Sequence, residues 1–151
     1  MKTSVGLLSL LFLVSTSLAA AESMKAKPPI KVYRSPTCTC CGKWVTHLKD
    51  QGFVVEDITS EDMTAIKNQY KVPSALRSCH TAVVSGHVIE GHVPAEDIRS
   101  LIAMKAGPLG LSVPGMPVGT PGMEMGASKD PYQVIGFDQD GGSKVFKDHT
   151  Q

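Results

Sequence analysis

From Ile30 onward the apolar positions of this chain change period repeatedly, and each change marks an element. Ile30-Lys31-Val32-Tyr33-Arg34 alternates apolar and charged residues, the pattern of a half-buried strand. Beyond Ser35-Pro36-Thr37, the residues Cys41, Trp44, Val45 and Leu48 fall on one face of a helix, and Gly52 is placed to end it. Phe53 to Ile58 reads as a second strand. A second helix follows, with Thr59 or Ser60 as its cap and Met63, Ile66 and Tyr70 inward, and Pro73 lies beyond its end. His80 to Ser85 is a third strand, and Ser85-Gly86 suits a two-residue turn into His87-Val88-Ile89-Glu90. Pro94 then stands at a helix start, with Ile98, Leu101 and Ile102 inward and Gly107 as the stop.

The stretch from Gly107 to Gly126 has neither period. It carries Pro108, Pro114, Pro117 and Pro121 together with Met116, Met123 and Met125. A loop of about 20 residues is uncommon in a compact domain unless it has a function or is disordered. Its apolar residues Leu109, Leu111, Val113 and Val118 argue that it is laid down on the domain. Tyr132 to Phe137 and Lys144-Val145-Phe146, separated by Asp140-Gly141-Gly142, read as a C-terminal β-hairpin.

The order β-α-β-α-β-β-α, with Cys-x-x-Cys from Cys38 to Cys41 after the first strand, predicts a thioredoxin-like α/β fold with a central mixed sheet flanked by helices. One place departs from that pattern. Where such folds commonly set a proline before the third strand, facing the dithiol, this chain has Ser78-Cys79-His80-Thr81. A fourth thiol and an imidazole are therefore expected to face the first three.

The N-terminus adds a destination. Met1-Lys2, the apolar run Val5 to Leu18 and Ala19-Ala20-Ala21 make a basic start, an apolar stretch and a small-residue cleavage site. Residues 1–21 are expected to be a signal peptide and residues 22–29 a flexible arm, leaving 30–151 as one domain. The run, interrupted by Ser9, Ser15, Thr16 and Ser17, falls short of the about 20 apolar residues of a spanning helix. Export is expected, with no membrane attachment after cleavage. The formal charge of +1 drops to about zero once Lys2 is removed, which gives no support to a nucleic-acid partner.

Export permits disulfides, but the spacing of the four cysteines argues against a simple staple. Cys40 and Cys41 are adjacent and Cys38 is close by, so any disulfide among them closes a tiny loop of little entropic value. Thiols at a helix N-terminus ionise easily, and the thiolate is both nucleophile and metal ligand. Cys38 and Cys41 have the spacing of a redox dithiol. A third thiol inside such a pair only adds competing disulfides, whereas a soft-metal site gains a ligand. Structural zinc wants four ligands at tetrahedral angles, which three crowded cysteines supply poorly. Bridging sulfurs shared among several ions would relieve that crowding.

The remaining soft ligands fit the same chemistry. Cys79-His80 and His92 are candidates to lie near the metal, while His47, His87 and His149 are expected to be solvated. Met63 and Met104 suit a core. Met116 and Met123 recur in Pro-Gly-Met frames, which fix the backbone and leave the thioether free. Thiol, thioether and imidazole together suit copper, as Cu(I) or Cu(II), better than zinc.

Cys38-Thr39-Cys40-Cys41-Gly42, Ser78-Cys79-His80-Thr81, Gly91-His92-Val93-Pro94 and the run Val113 to Met123 resemble the exported bacterial metal-binding family that includes the copper-resistance protein CopG. The resemblance covers nearly all of the chain after the signal. It implies a thioredoxin-like fold, a periplasmic location, a role in copper resistance and other periplasmic copper-handling proteins as partners. Position by position it marks Cys38, Cys40, Cys41 and Cys79 as copper-binding thiols. Thr120 stands where such proteins often have serine. The rival reading is a thiol–disulfide oxidoreductase using Cys38 and Cys41.

Overall fold

The computed structural model describes residues 29–150, so the expected signal peptide (1–21) and all of the arm but Pro29 lie outside the described residues. The first strand, β1, is Ile30–Arg34 and buries Ile30 and Val32, as its alternation requires. Helix α1 is Thr39–Asp50 and buries Cys41, Trp44, Val45 and Leu48, the face read from the sequence. Its end follows from Gly52, whose φ of 81° lets Gly52 N bond Lys49 O while Phe53 N bonds Leu48 O. A β-carbon would strain that closure.

Strand β2 is Val55–Thr59, starting later than the apolar run suggests. Helix α2 is Met63–Gln69, and its cap is Asp62, whose carboxylate accepts from Ala65 N at 2.8 Å. Neither Thr59 nor Ser60 caps it, because Thr59 is still paired in β2 and the chain bends at Glu61, one residue before the cap. The buried residue of α2 is Lys67, while Met63, Ile66 and Tyr70 are half-buried. A short 3-10 turn, Ser74–Leu76, leads to β3 at His80–Val84 and β4 at His87–Glu90. The turn between them has positive φ at both Ser85 (49°) and Gly86 (82°), which matches the twist of paired strands.

Helix α3, Ala95–Ala103, starts after Pro94 and stops short of Gly107, leaving Met104 exposed rather than in the core. The stretch 107–126 is not loop throughout. Gly110–Ser112 forms β5, parallel to β4 and antiparallel to β6. Three residues are too few to show a period. Gly110 is required there, because a β-carbon would run into Val88 O and the Phe137 ring. Strands β6 (Tyr132–Phe137) and β7 (Ser143–His149) pair antiparallel, with a register shift at Val134/Ile135.

Among the described residues the result is a mixed seven-stranded sheet ordered β2-β1-β3-β4-β5-β6-β7, with three α-helices. β1 runs parallel to β2 and antiparallel to β3. Successive β4 residues face opposite ways, and Ile89 joins a cluster with Trp44, Leu48, Ile98 and Leu101, whereas Val88 packs with Val72 and Phe137. Helices α1 and α3 therefore cover one face of the sheet, and α2 lies on the other. Among the described residues no helix is long and apolar enough to cross a membrane.

Candidate metal centre

The turn after β1 delivers three cysteines to the N-terminus of α1, with Cys38 at its cap position. Cys79 comes from the residue before β3, the neighbour of β1 in the sheet. The four sulfurs lie within 4.8 Å of one another. Cys38 and Cys41 are joined in a disulfide with Cα atoms 5.4 Å apart, while Cys40 and Cys79 are free thiols. Cys40 Sγ stands 3.5 Å from Cys38 Sγ.

Cys79 also belongs to a second group. Its sulfur is 3.2 Å from His80 Nδ1 and 3.2 Å from His92 Nε2. The bond from His92 Nδ1 to Pro121 O is 2.7 Å. A carbonyl only accepts, so Nδ1 carries the proton and the neutral ring presents a bare Nε2 toward Cys79. His80 is packed against Trp44, ring centroids 4.3 Å apart, and the Trp44 indole N–H donates to Val93 O at 2.9 Å. His80 Nε2 is the buried side-chain nitrogen without a hydrogen-bond partner among the described residues. An orphan of that kind costs about 1–3 kcal/mol. Such a donor set suits a soft metal.

Burial sets the protonation states. It pushes both His80, well below its ordinary 6.5, and His92 downward, so both imidazoles are neutral at pH 7. Burial, reinforced by Cys40, pushes the Cys79 thiol up to about 11, so a metal must displace its proton. The histidines carry a stability consequence. In unfolded chain a histidine takes its proton below about 6.5, whereas the folded sites resist it, so folding is favoured above that pH and weakened as pH falls. Each histidine can contribute a slope of up to about 1.4 kcal/mol per pH unit. Urea melts of the copper-free chain should show the midpoint dropping from pH 7 to pH 5, and His80→Gln should flatten the drop.

The proline–glycine loop is fastened around the sulfurs. Gly115 O accepts from Ser78 Oγ at 2.5 Å, Pro121 O holds His92, and Gly122 packs on the backbone of α1 at Cys40 and Trp44. Met116 and Met123 each follow one of these anchored glycines in sequence; Met116 is 53% exposed and Met123 half-buried.

The histidines expected in solvent are each half-buried and engaged. His47 Nε2 accepts from Ala95 N at 3.4 Å, His87 Nδ1 lies 3.2 Å from Pro108 O, and His149 Nε2 lies 2.8 Å from Asp97. Helix packing and strand pairing reach these rings from segments distant in sequence. Sequence reading missed the polar residues behind Cys79. Ser78 N donates to the Glu90 carboxylate at 2.6 Å, which also meets Lys67 Nζ at 2.5 Å and Thr81 Oγ1 at 2.7 Å. The available signal was Lys67 itself, four residues after Met63 on the inward side of an amphipathic helix.

A family of proteins of unknown function, DUF411, matches residues 76–123, a span that holds Cys79, His80, His92, Met116 and Met123 but stops short of the Cys38–Cys41 trio. No curated protein matches the chain. Two solved structures do. One, titled copper resistance protein CopG form 2, shares 45% identity over 81% of this chain and 99% of its own, with a TM-score of 0.77. The other, form 1 of a protein of the same name, shares 44% identity over 83% of this chain and all of its own, with a TM-score of 0.79. At that identity and coverage, the chain belongs to the family of the copper resistance protein CopG.

Proposed function

We propose that this protein binds copper as cargo in the bacterial periplasm and contributes to copper resistance, holding Cu(I) in a cysteine cluster that takes more than one ion. The observation that carries the reading is the convergence of four sulfurs within 4.8 Å, with His80 and His92 against the fourth. The likeness in sequence and shape to CopG structures supports copper as the metal. Thiolates and imidazoles select soft ions, and sulfurs this close can bridge. Met116 and Met123 would complete the set as thioether ligands or as a cover. The element order up to α3, with the dithiol at the start of α1, supports a thioredoxin-like ancestry for the domain, with β6 and β7 as an appended hairpin.

Cysteine chemistry defines the loading step. Cys38 and Cys41 bind only as thiolates, so their disulfide must first be reduced by an external dithiol. Cys79 must lose its proton. His92, held by Pro121 O, keeps its bare nitrogen aimed at Cys79 throughout.

Anaerobic titration of the reduced chain with Cu(I), followed by elemental analysis, should find more than one copper per chain and near-ultraviolet charge-transfer absorption. Cys79→Ser should lower that number. The Cys38–Cys41 disulfide at a helix N-terminus favours one rival, a thiol–disulfide oxidoreductase. Catalytic reduction of protein disulfides, with Cu(I) held no more tightly than by a single exposed thiol, would establish the rival. The location has its own check: periplasmic extract should contain a chain beginning at or near Glu22, and full-length chain in the membrane fraction would argue for an anchor.

A further inference from the structure

Behind the sulfurs lies an ion pair that the copper reading leaves unused. Lys67 is 7% exposed and Glu90 fully buried, both on residue types that almost never enter a core unless paired. Replacing such a pair by apolar residues is often neutral or stabilising, so its presence calls for something other than stability. Its placement supplies one. Thr81 and Glu90 face each other across β3 and β4, on the side of the sheet that carries α2, and Lys67 reaches them from that helix. Glu90 Oε1 then extends past the end of β3 to accept the amide of Ser78 at 2.6 Å. That amide precedes the strand, so the carboxylate supplies what the ladder does not.

We propose that the Lys67–Glu90 pair is a positioning device for the fourth thiol: it clamps the peptide that carries Cys79 and so fixes where that sulfur stands. The inference rests on the copper reading for its purpose but not for its geometry. Ser78 is held on three sides. Glu90 takes its N–H and Gly115 O takes its hydroxyl. Gly91 packs so closely beneath it that a β-carbon there would come within 2.6 Å of Ser78 Oγ. Cys79 follows directly, and its sulfur meets both histidines at 3.2 Å. Lys67 orients the carboxylate from below, donating also to Thr81 Oγ1 at 3.1 Å. Groups behind a metal ligand commonly govern affinity by about 10–100-fold.

Two double variants separate positioning from mere stability. Lys67→Met with Glu90→Gln removes both charges but keeps an oxygen for Ser78 N. Lys67→Met with Glu90→Leu removes the oxygen as well and leaves an apolar, packable interior. The first reading is hydrogen exchange of the Ser78 amide in the reduced, copper-free chain. It should be slow in the wild type and in the Gln variant, and at least about tenfold faster in the Leu variant. The second reading is Cu(I) affinity, which should fall about 10–100-fold in the Leu variant and return to within a few-fold of wild type in the Gln variant. Equal Ser78 exchange in wild type and the Leu variant would overturn the proposal. So would a Leu variant that folds and binds Cu(I) as tightly as wild type. Should the Leu variant fail to fold, single Glu90→Gln and wild type decide it: fast exchange at Ser78 in the wild type would overturn the clamp. Absence of Cu(I) binding by wild type would sink the copper reading alone, because the exchange measurement needs no copper.

Discussion

Oxidising the protein to the Cys38–Cys41 disulfide should abolish high-affinity Cu(I) binding, and reduction should restore it. The disulfide consumes two of the four clustered sulfurs and leaves Cys40 and Cys79. Structural zinc sites of four thiolate and imidazole ligands bind with apparent free energies of about 10–16 kcal/mol, or roughly 2.5–4 per ligand. Losing two ligands therefore weakens binding by about a thousandfold or more. The number of ions should fall too, since bridging needs neighbouring sulfurs. Competition against a chelator of known Cu(I) affinity, run anaerobically on disulfide-closed and reduced chain, measures both. Affinities that agree within a factor of ten would mean that Cys38 and Cys41 are not ligands. The metal would then rest on Cys40, Cys79, the histidines and the methionines, and the dithiol would be free for disulfide exchange.

How much of this centre was legible in the sequence depends on the range of the interaction that makes it. The face of α1 and the turn at Ser85-Gly86 are local, set by spacing within a few residues, and both stand as the pattern implies. The meeting of Cys79 with the first three cysteines is long-range. It could be expected from the thioredoxin-like pattern, in which the residue before the third strand faces the dithiol, and β3 does lie beside β1. What failed was of two kinds. β5 is three residues inside a proline-rich stretch, held by pairing to β4 and β6 and by the close approach at Gly110, none of which leaves a period. The engaged histidines and the Lys67–Glu90 pair depend on which side chains meet across the sheet, and composition carries no record of that. A lysine on an apolar helical face was visible, but its carboxylate, 23 residues away, was not.

The loop's hold on the site makes Gly122→Ala a substitution with a large expected effect outside the cysteines. Gly122 has φ of 85°, a region that costs an L-residue about 1–2 kcal/mol. An added β-carbon would also sit 2.7 Å from Trp44 N and 3.1 Å from Cys40 O, both backbone atoms of α1 that cannot swing aside. Overpacking of that kind costs about 1–3 kcal/mol. The loop is the softer party, although the Glu124 carboxylate holds it by accepting Gly122 N at 2.9 and 3.0 Å. It should lift, drawing Pro121 O away from His92. The expected result is a loss of about 2–5 kcal/mol of stability, or a smaller loss with at least tenfold faster Cu(I) release to a chelator. Gly126→Ala is the control. Its φ of 67° imposes a similar backbone strain, but nothing lies within 4 Å of the new carbon. It should cost only the strain and leave copper release unchanged. If both substitutions behave alike in melting and in release, the contact at α1 contributes nothing, and the loop does not close over the metal centre.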